Sequence, residues 1–241
     1  MRTLVVGDIH GGLKGLKQLL EKVSPKVTDQ FIFLGDYVDG WSESAQTISF
    51  LIEFSKKHNC IFIRGNHDEL AYNYLKHHDD NPLWFHHGGR ETKKSYEGIS
   101  YHETKKHLQF FQNLVNYHID SQNRLFVHAG FTNLHGPQNE YYPNMVYWDR
   151  SLWETACALD KNLSKEDPRY PVRLQLFSEI YIGHTPTTRM GKTIPLNYAN
   201  VWNMDTGAAF KGPLSIMDVQ SKEIWQSDPV YTFYPLENGR N

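Results

Sequence analysis

Thr3-Leu4-Val5-Val6-Gly7-Asp8-Ile9-His10-Gly11, Phe31-Ile32-Phe33-Leu34-Gly35-Asp36-Tyr37-Val38-Asp39-Gly40 and Cys60-Ile61-Phe62-Ile63-Arg64-Gly65-Asn66-His67-Asp68 follow one grammar. Each is a short apolar run, then a glycine, then carboxylate, amide or imidazole side chains. Runs rich in β-branched and aromatic residues and stopped by glycine are the pattern of parallel strands covered on both faces. Between the first two, Leu13, Leu16, Leu19, Leu20 and Val23 recur at helical spacing. Strand, helix, strand, helix, strand is a βαβαβ unit, and in such sheets ligands bind beyond the carboxyl ends of the strands. The reading therefore brings Asp8, His10, Asp36, Asp39, Asn66, His67 and Asp68 to one edge.

Carboxylates gathered this densely raise each other's pKa unless protons or cations neutralise them. Two later runs add to the cluster: Leu125-Phe126-Val127 ends in His128-Ala129-Gly130, and Ile180-Tyr181-Ile182 ends in Gly183-His184-Thr185-Pro186. A single Asp or His after a strand is ordinarily a helix cap or a satisfied polar residue, but five strand ends of one pattern do not arise from capping. Mixed Asp, Asn and His donors without Cys suit a moderately hard divalent ion such as manganese, iron or zinc.

In this order, Asp8-Ile9-His10, Gly35-Asp36-Tyr37-Val38-Asp39, Gly65-Asn66-His67-Asp68, His128-Ala129-Gly130 and Gly183-His184-Thr185 resemble the motif series of the calcineurin-like metallophosphoesterases. More narrowly they resemble the phosphoprotein phosphatase (serine/threonine phosphatase-like) branch in its bacterial and phage forms. Asp39 closes the second motif there, and Thr185-Pro186 follows His184. The resemblance runs from about residue 2 to 225 and takes in Asp205-Thr206-Gly207-Ala208 and Leu214-Ser215-Ile216-Met217 as closing strands. It implies two divalent metal ions, manganese foremost and iron or zinc as alternatives. Asp8, His10 and Asp36 would hold one, and Asp36 would bridge to a second held by Asn66, His128 and His184. It further implies a metal-activated hydroxide as nucleophile, His67 as the acid that protonates the leaving oxygen, and Asp39 as the residue that orients His67.

The chain departs from the family pattern at Gly40, where a phosphate-gripping arginine is usual, and Trp41 follows it. Arginine's planar fork matches a phosphate bidentately, so a replacement is expected elsewhere. Arg150, in Tyr147-Trp148-Asp149-Arg150, resembles the family's second phosphate-binding arginine. Arg90, in the glycine-rich His87-Gly88-Gly89-Arg90, is the other candidate. Asp68 stands where the protein phosphatases commonly have glutamate.

The 241 residues are read as one domain, with a helical insertion at about 76–117 and a second insertion at about 139–173. Leu108, Phe110, Phe111 and Leu114 would form the buried stripe of the first, and the tail after Tyr231 reads as loosely held. A net charge of −2 with no Lys/Arg run excludes bulk attraction to nucleic acid. Two cysteines, Cys60 and Cys157, are too few for a disulfide framework. The chain opens almost directly on a core strand and has no stretch of membrane-spanning length, so a cytoplasmic protein with no membrane partner is expected. The histidine pairs His77-His78 and His86-His87 read as loop residues.

The expected fold class is α/β: a four-layer α/β/β/α sandwich of two mixed β-sheets flanked by helices. The second sheet is expected to hold the runs at 125–127, 180–182, 201–204 and 214–218, with 214–219 and 223–226 as an antiparallel hairpin. The expected activity is hydrolysis of a phosphomonoester, either a phosphorylated protein or a small compound. Two alternatives are a dinucleoside polyphosphate (diadenosine tetraphosphate-type) hydrolase and an inactive phosphate-binding scaffold. The former family resembles this chain through Gly-Asn-His-Asp and His-Ala-Gly but tends to lack the acid at Asp39; the latter is supported only by Gly40.

Overall fold

The computed structural model describes residues 1–240. The strands in chain order are β1 (Thr3–Val6), β2 (Gln30–Phe33), β3 (Asn59–Phe62), β4 (Tyr117–Ile119), β5 (Arg124–Val127), β6 (Glu179–Ile182), β7 (Leu196–Tyr198), β8 (Val201–Asn203), β9 (Pro213–Asp218) and β10 (Ile224–Pro229). They form two five-stranded sheets, ordered β10-β9-β1-β2-β3 and β4-β5-β6-β8-β7. Both are mixed. β1, β2 and β3 run parallel and β9 antiparallel to β1; β5, β6 and β8 run parallel, with β4 and β7 antiparallel at the edges.

The alternation of side chains along each strand builds the layers. Leu4, Val6, Phe31, Phe33 and Ile216 point outward from the first sheet and meet Leu16, Leu19, Leu20 and Val23 of α1 (Leu13–Val23), with Ile48 and Leu51 of α2 (Ser44–Ser55). Val5, Ile32 and Met217 point inward and meet Phe126, Tyr181 and Met204 from the second sheet. Leu125, Val127, Ile180 and Ile182 cover that sheet's far face, against Leu152, Trp153 and Ala156. Each of these buried side chains contributes about 1.5–3 kcal/mol relative to exposure. The four-layer α/β sandwich is thus the observed fold.

Two details differ from the expectation. The run at 214–218 belongs to the first sheet, as β9, with Val6 opposite Ile216 and Val5 opposite Met217. The hairpin with β10 forms, but at the edge of that same sheet. A strand buried on both faces carries no alternation to say which sheet owns it. In addition β3 is an edge strand and only partly buried, so Cys60 is half-exposed.

The tail after Tyr231 is not loose. Tyr234 is 2% exposed and stacks on the Trp41 ring at 5.2 Å. The Ser42 amide and hydroxyl donate to the Glu237 carboxylate at 2.9 and 2.7 Å, and the Arg240 amide donates to the Ala209 carbonyl at 2.9 Å. Trp41 is fully buried and donates from Nε1 to the Ala208 carbonyl at 2.7 Å.

Besides the end of α3 (Asn66–His77), the stretch at 76–117 holds a helical turn at Pro82–Trp84, a π-helical turn at Phe85–Gly89 and two longer helices, α4 (Arg90–Ser95) and α5 (Tyr101–Gln112). His107, Phe110, Phe111 and Leu114 are its buried stripe, and Leu108 is half-buried. It docks on α2 through the Ala45 amide to Ser95 Oγ (3.1 Å) and Ser49 Oγ to His107 Nε2 (2.9 Å). α6 (Ser151–Ala158) lies in the 139–173 stretch. Among the described residues no helix is long and apolar enough to cross a membrane.

Candidate metal centre and its pocket

The parallel strands deliver their chemistry at their carboxyl ends. Asp8 and His10 follow β1, Asp36 and Asp39 follow β2, and Asn66 opens α3 just after β3. His128 follows β5 and His184 follows β6, so the two sheets face each other across the cluster. The turns are held in conformations that non-glycine residues rarely adopt: His10, Asp36, Asp39 and His184 have φ of 53, 52, 70 and 65°. Such backbone costs about 1–3 kcal/mol per residue and persists where its surroundings over-determine it. One such determinant is Asp68, whose carboxylate accepts from the amides of Asp36, Tyr37 and Gly65, each at 2.8 Å. Gly183 is another, since a Cβ there would lie 2.0 Å from Asp8 Oδ1.

Two triads result: Asp8, His10 and Asp36, and Asp36, His128 and His184. The ligand atoms within each lie within 4.8 Å of one another. Asn66 Oδ1 joins the second, 2.9 Å from His184 Nδ1 and 3.2 Å from His128 Nε2. His10 Nδ1 faces the carbonyls of Val38 and Asp39 at 3.1 and 2.8 Å, and His128 Nδ1 faces that of Leu34 at 2.8 Å. A ring whose Nδ1–H is so engaged presents its Nε2 lone pair, as metal-ligating histidines do. Those Nε2 atoms lie 3.5 and 3.4 Å from Asp36 oxygens.

The electrostatics call for a cation. Asp8 Oδ1 is buried without a hydrogen-bond partner among the described residues. Burial, and then the charge of Asp205, push the Asp8 carboxyl well above its usual range. At His128 burial pulls the other way but the Asp36 carboxylate prevails, pushing the imidazole up to about 10. Protons would thus have to neutralise the cluster if metal did not. Buried oxygens and imidazole nitrogens in two triads sharing one carboxylate are consistent with a dinuclear metal site.

Beside the triads, His67 Nδ1 lies 2.6 Å from Asp39 Oδ2. Asp39 is fully buried and saturated: Trp84 Nε1 donates to Oδ2 and Thr92 Oγ1 to Oδ1, both at 2.6 Å. Trp84 and Thr92 come from the 76–117 stretch and were invisible as site residues in the sequence, because neither adjoins a motif. A pocket of about 340 Å³ opens over Asp36, Asn66, His67 and His184 and is walled by Trp84, Trp148, Arg150, Arg189, Phe210 and Arg240. Arg150 is there, its Nε donating to His184 Nε2 at 3.4 Å. Arg90 is not: it is exposed at the start of α4 and does not line the pocket. Asp205, Arg189 and Arg240 also went unassigned. Arg189 follows the His184 motif by five residues and was within reach of motif-proximity reasoning, whereas Arg240 carries no local signal.

A two-sheet α/β sandwich with Asp, Asn and His donors at facing strand ends defines a metallophosphoesterase-type hydrolase. Residues 1–210 match the calcineurin-like phosphoesterase family, and the chain belongs to it. Bis(5'-nucleosyl)-tetraphosphatase PrpE [asymmetrical] of Oceanobacillus iheyensis is 24% identical over 242 residues, spanning 93% of this chain and 91% of that one. The Bacillus anthracis protein of the same name is 27% identical over 257 residues, spanning 98% and 97%. A yeast (Saccharomyces cerevisiae) protein serine/threonine phosphatase with similarity to human phosphatase PP5 superposes with a TM-score of 0.61 at 14% identity, over 95% of this chain and 80% of that one. That last likeness is one of fold.

Proposed function

We propose that this chain, acting as one catalytic unit, hydrolyses dinucleoside polyphosphates of the diadenosine tetraphosphate type. This reverses the order of the two substrate classes expected from the sequence, and the tetraphosphatase relatives support the reversal. The observation that carries it is the pairing of Arg150 and Arg189 with Trp148 on the wall of the pocket. Partial desolvation at the pocket wall, and then the neighbouring Arg189, lower the Arg150 guanidinium from its usual pKa. Two cations that oppose each other beside a metal cluster are stable company for a dense anion, and a tetraphosphate chain supplies more charge than one phosphomonoester. Trp148 is 44% exposed and sits 6.4 Å from the His184 ring, offering a face on which a nucleobase stacks.

In this reading Asp8, His10 and Asp36 would hold one divalent ion, and Asp36, Asn66, His128 and His184 the other. Manganese is the first choice, with iron or zinc as alternatives for the same donors. Such a pair, when bound, supplies Lewis-acid polarisation of phosphoryl oxygens and a water of lowered pKa. Arg150 binds non-bridging oxygens through charge-assisted hydrogen bonds. The oxygen of water bonds to phosphorus as the anhydride P–O bond breaks; the water's proton is lost to solvent, His67 delivers a proton to the departing oxygen, and its imidazole regains one from solvent. Asp39 holds the His67 ring in place, itself fixed by Trp84 and Thr92.

The His67–Asp39 pair favours a second reading, a phosphoprotein or small-phosphomonoester phosphatase, because an alkoxide leaves poorly without an acid. Kinetics on the manganese-reconstituted chain separate the two. The first reading expects kcat/KM for diadenosine tetraphosphate to exceed that for a phosphoserine peptide by about tenfold or more, a difference of ~1.4 kcal/mol in the barrier. Asymmetric cleavage would release a nucleoside monophosphate and a nucleoside triphosphate. Preference for the phosphopeptide would overturn it in favour of the second.

A further inference from the structure

We propose that Arg240, carried into the pocket by the C-terminal segment, binds the substrate's phosphoryl oxygens. The proposal rests on phosphate-ester or anhydride hydrolysis at this site, not on which phosphate compound is the substrate.

Arg240 lines the same pocket as Asp36, Asn66, His67 and His184, from a position two hundred residues away in sequence from the second motif. Its Nε is buried and has no hydrogen-bond partner, and no carboxylate forms an ion pair with it among the described residues. A buried donor without an acceptor costs about 1–3 kcal/mol, more when charged, and calls for an acceptor from a ligand. The guanidinium is steadied on one side by the Phe210 ring, 5.5 Å from its centroid, a contact that leaves the N–H edge unused.

The path of the side chain is equally informative. Arg240 Cγ passes 3.5 Å from where a Cβ on Gly40 would stand. Gly40 has φ +128°, a conformation closed to side-chain-bearing residues at low cost, and such a Cβ would also press on the His10 carbonyl at 3.2 Å. An arginine from the far end of the chain therefore lies in van der Waals contact with the place where a residue-40 side chain would begin. The segment bringing it is fixed beforehand by the Tyr234–Trp41 stack, the Ser42–Glu237 hydrogen bonds and the Arg240 amide on Ala209. A guanidinium held in place before substrate arrives loses little freedom on binding.

The test uses the full manganese-loaded chain with Arg240→Gln and Arg240→Lys. KM and kcat are measured on diadenosine tetraphosphate and on p-nitrophenyl phosphate, and inorganic phosphate binding is measured by calorimetry, beside metal content and melting temperature. Arg240→Gln is expected to raise KM and weaken phosphate binding about tenfold or more, with metal content and melting temperature unchanged. Arg240→Lys should recover part of the loss, since it restores charge but not the planar fork. Phosphate binding and KM within twofold of the unsubstituted protein would overturn the proposal. So would a loss that appears only in metal content or melting temperature, which marks a structural role. If diadenosine tetraphosphate is not turned over, the substrate reading fails by itself, and Arg240 is still judged on p-nitrophenyl phosphate and on phosphate binding.

Discussion

Asp36 is the residue on which both triads close, and its environment explains why no neighbour can replace it. Burial would push its carboxyl up, but His128, His67 and His10 around it prevail and hold it well below the usual range, as an anion. Its Oδ1 also accepts from the His67 amide at 3.0 Å, which ties the start of α3 to the cluster. Asp36→Asn removes charge shared by both proposed ions, so metal analysis should find both sites depleted together. Two tightly held ions with full turnover in that variant would refute the shared-ligand assignment. His67 makes a separate prediction because it lies beside the proposed ligands and outside both triads. His67→Ala should keep its metal and lose about 10²–10⁴-fold in kcat, the usual span of general acid catalysis. The loss should be steep for an alkyl phosphate and shallow for p-nitrophenyl phosphate, whose leaving oxygen needs little protonation; equal losses would count against His67 as the acid.

At the scale of elements, the stretch at 76–117 does more than cover a surface: it supplies two of the hydrogen bonds that saturate Asp39. Thr92 Oγ1 donates to the carboxylate and also accepts from the Asp39 amide at 3.0 Å. Thr92→Val keeps the shape, removes the donor to Asp39 Oδ1 and leaves the Asp39 amide only Ser44 Oγ at 3.2 Å, so it should cost about 1–3 kcal/mol of stability. It should also lower kcat with metal content unchanged; an unaltered kcat would mean that Asp39 needs no such support. This role was not legible beforehand, because Trp84 and Thr92 reach Asp39 through packing and not through any spacing within their own segment. The strand ends were legible, because glycine plus polar residues after an apolar run is a local pattern with a local cause. The hairpin of β9 and β10 was legible too, but its sheet was not: Leu214, Ile216 and Met217 are buried on both faces, and only the register Val6 opposite Ile216 decides the matter. The C-terminal strap was misread for a related reason. Tyr234 and Glu237 are ordinary surface-type residues until Trp41 and Ser42, nearly two hundred positions earlier, are placed against them.

Across the whole molecule, the proposed ligands are divided: Asp8, His10, Asp36 and Asn66 belong to the first sheet, His128 and His184 to the second. Between the sheets lies the inner core of Val5, Ile32, Phe126, Tyr181, Met204 and Met217. Binding of the proposed ions and docking of the sheets are therefore two terms of one equilibrium. A ligand at a hundred times its Kd stabilises the state that binds it by about 2.7 kcal/mol. At this chain length that is about 5–10 °C of melting temperature, which a chelator should remove and manganese restore. The reciprocal holds at a distance. Met217→Ala removes a buried side chain of this seam, and the cavity, costing about 2–5 kcal/mol, should lower the melting temperature of the metal-free and manganese-loaded chain alike, with apparent manganese affinity falling in a titration in proportion to the folded fraction lost. The hydrophobic seam and the proposed ions thus form a thermodynamic cycle through the folded state, in which bound metal serves as a measure of core packing.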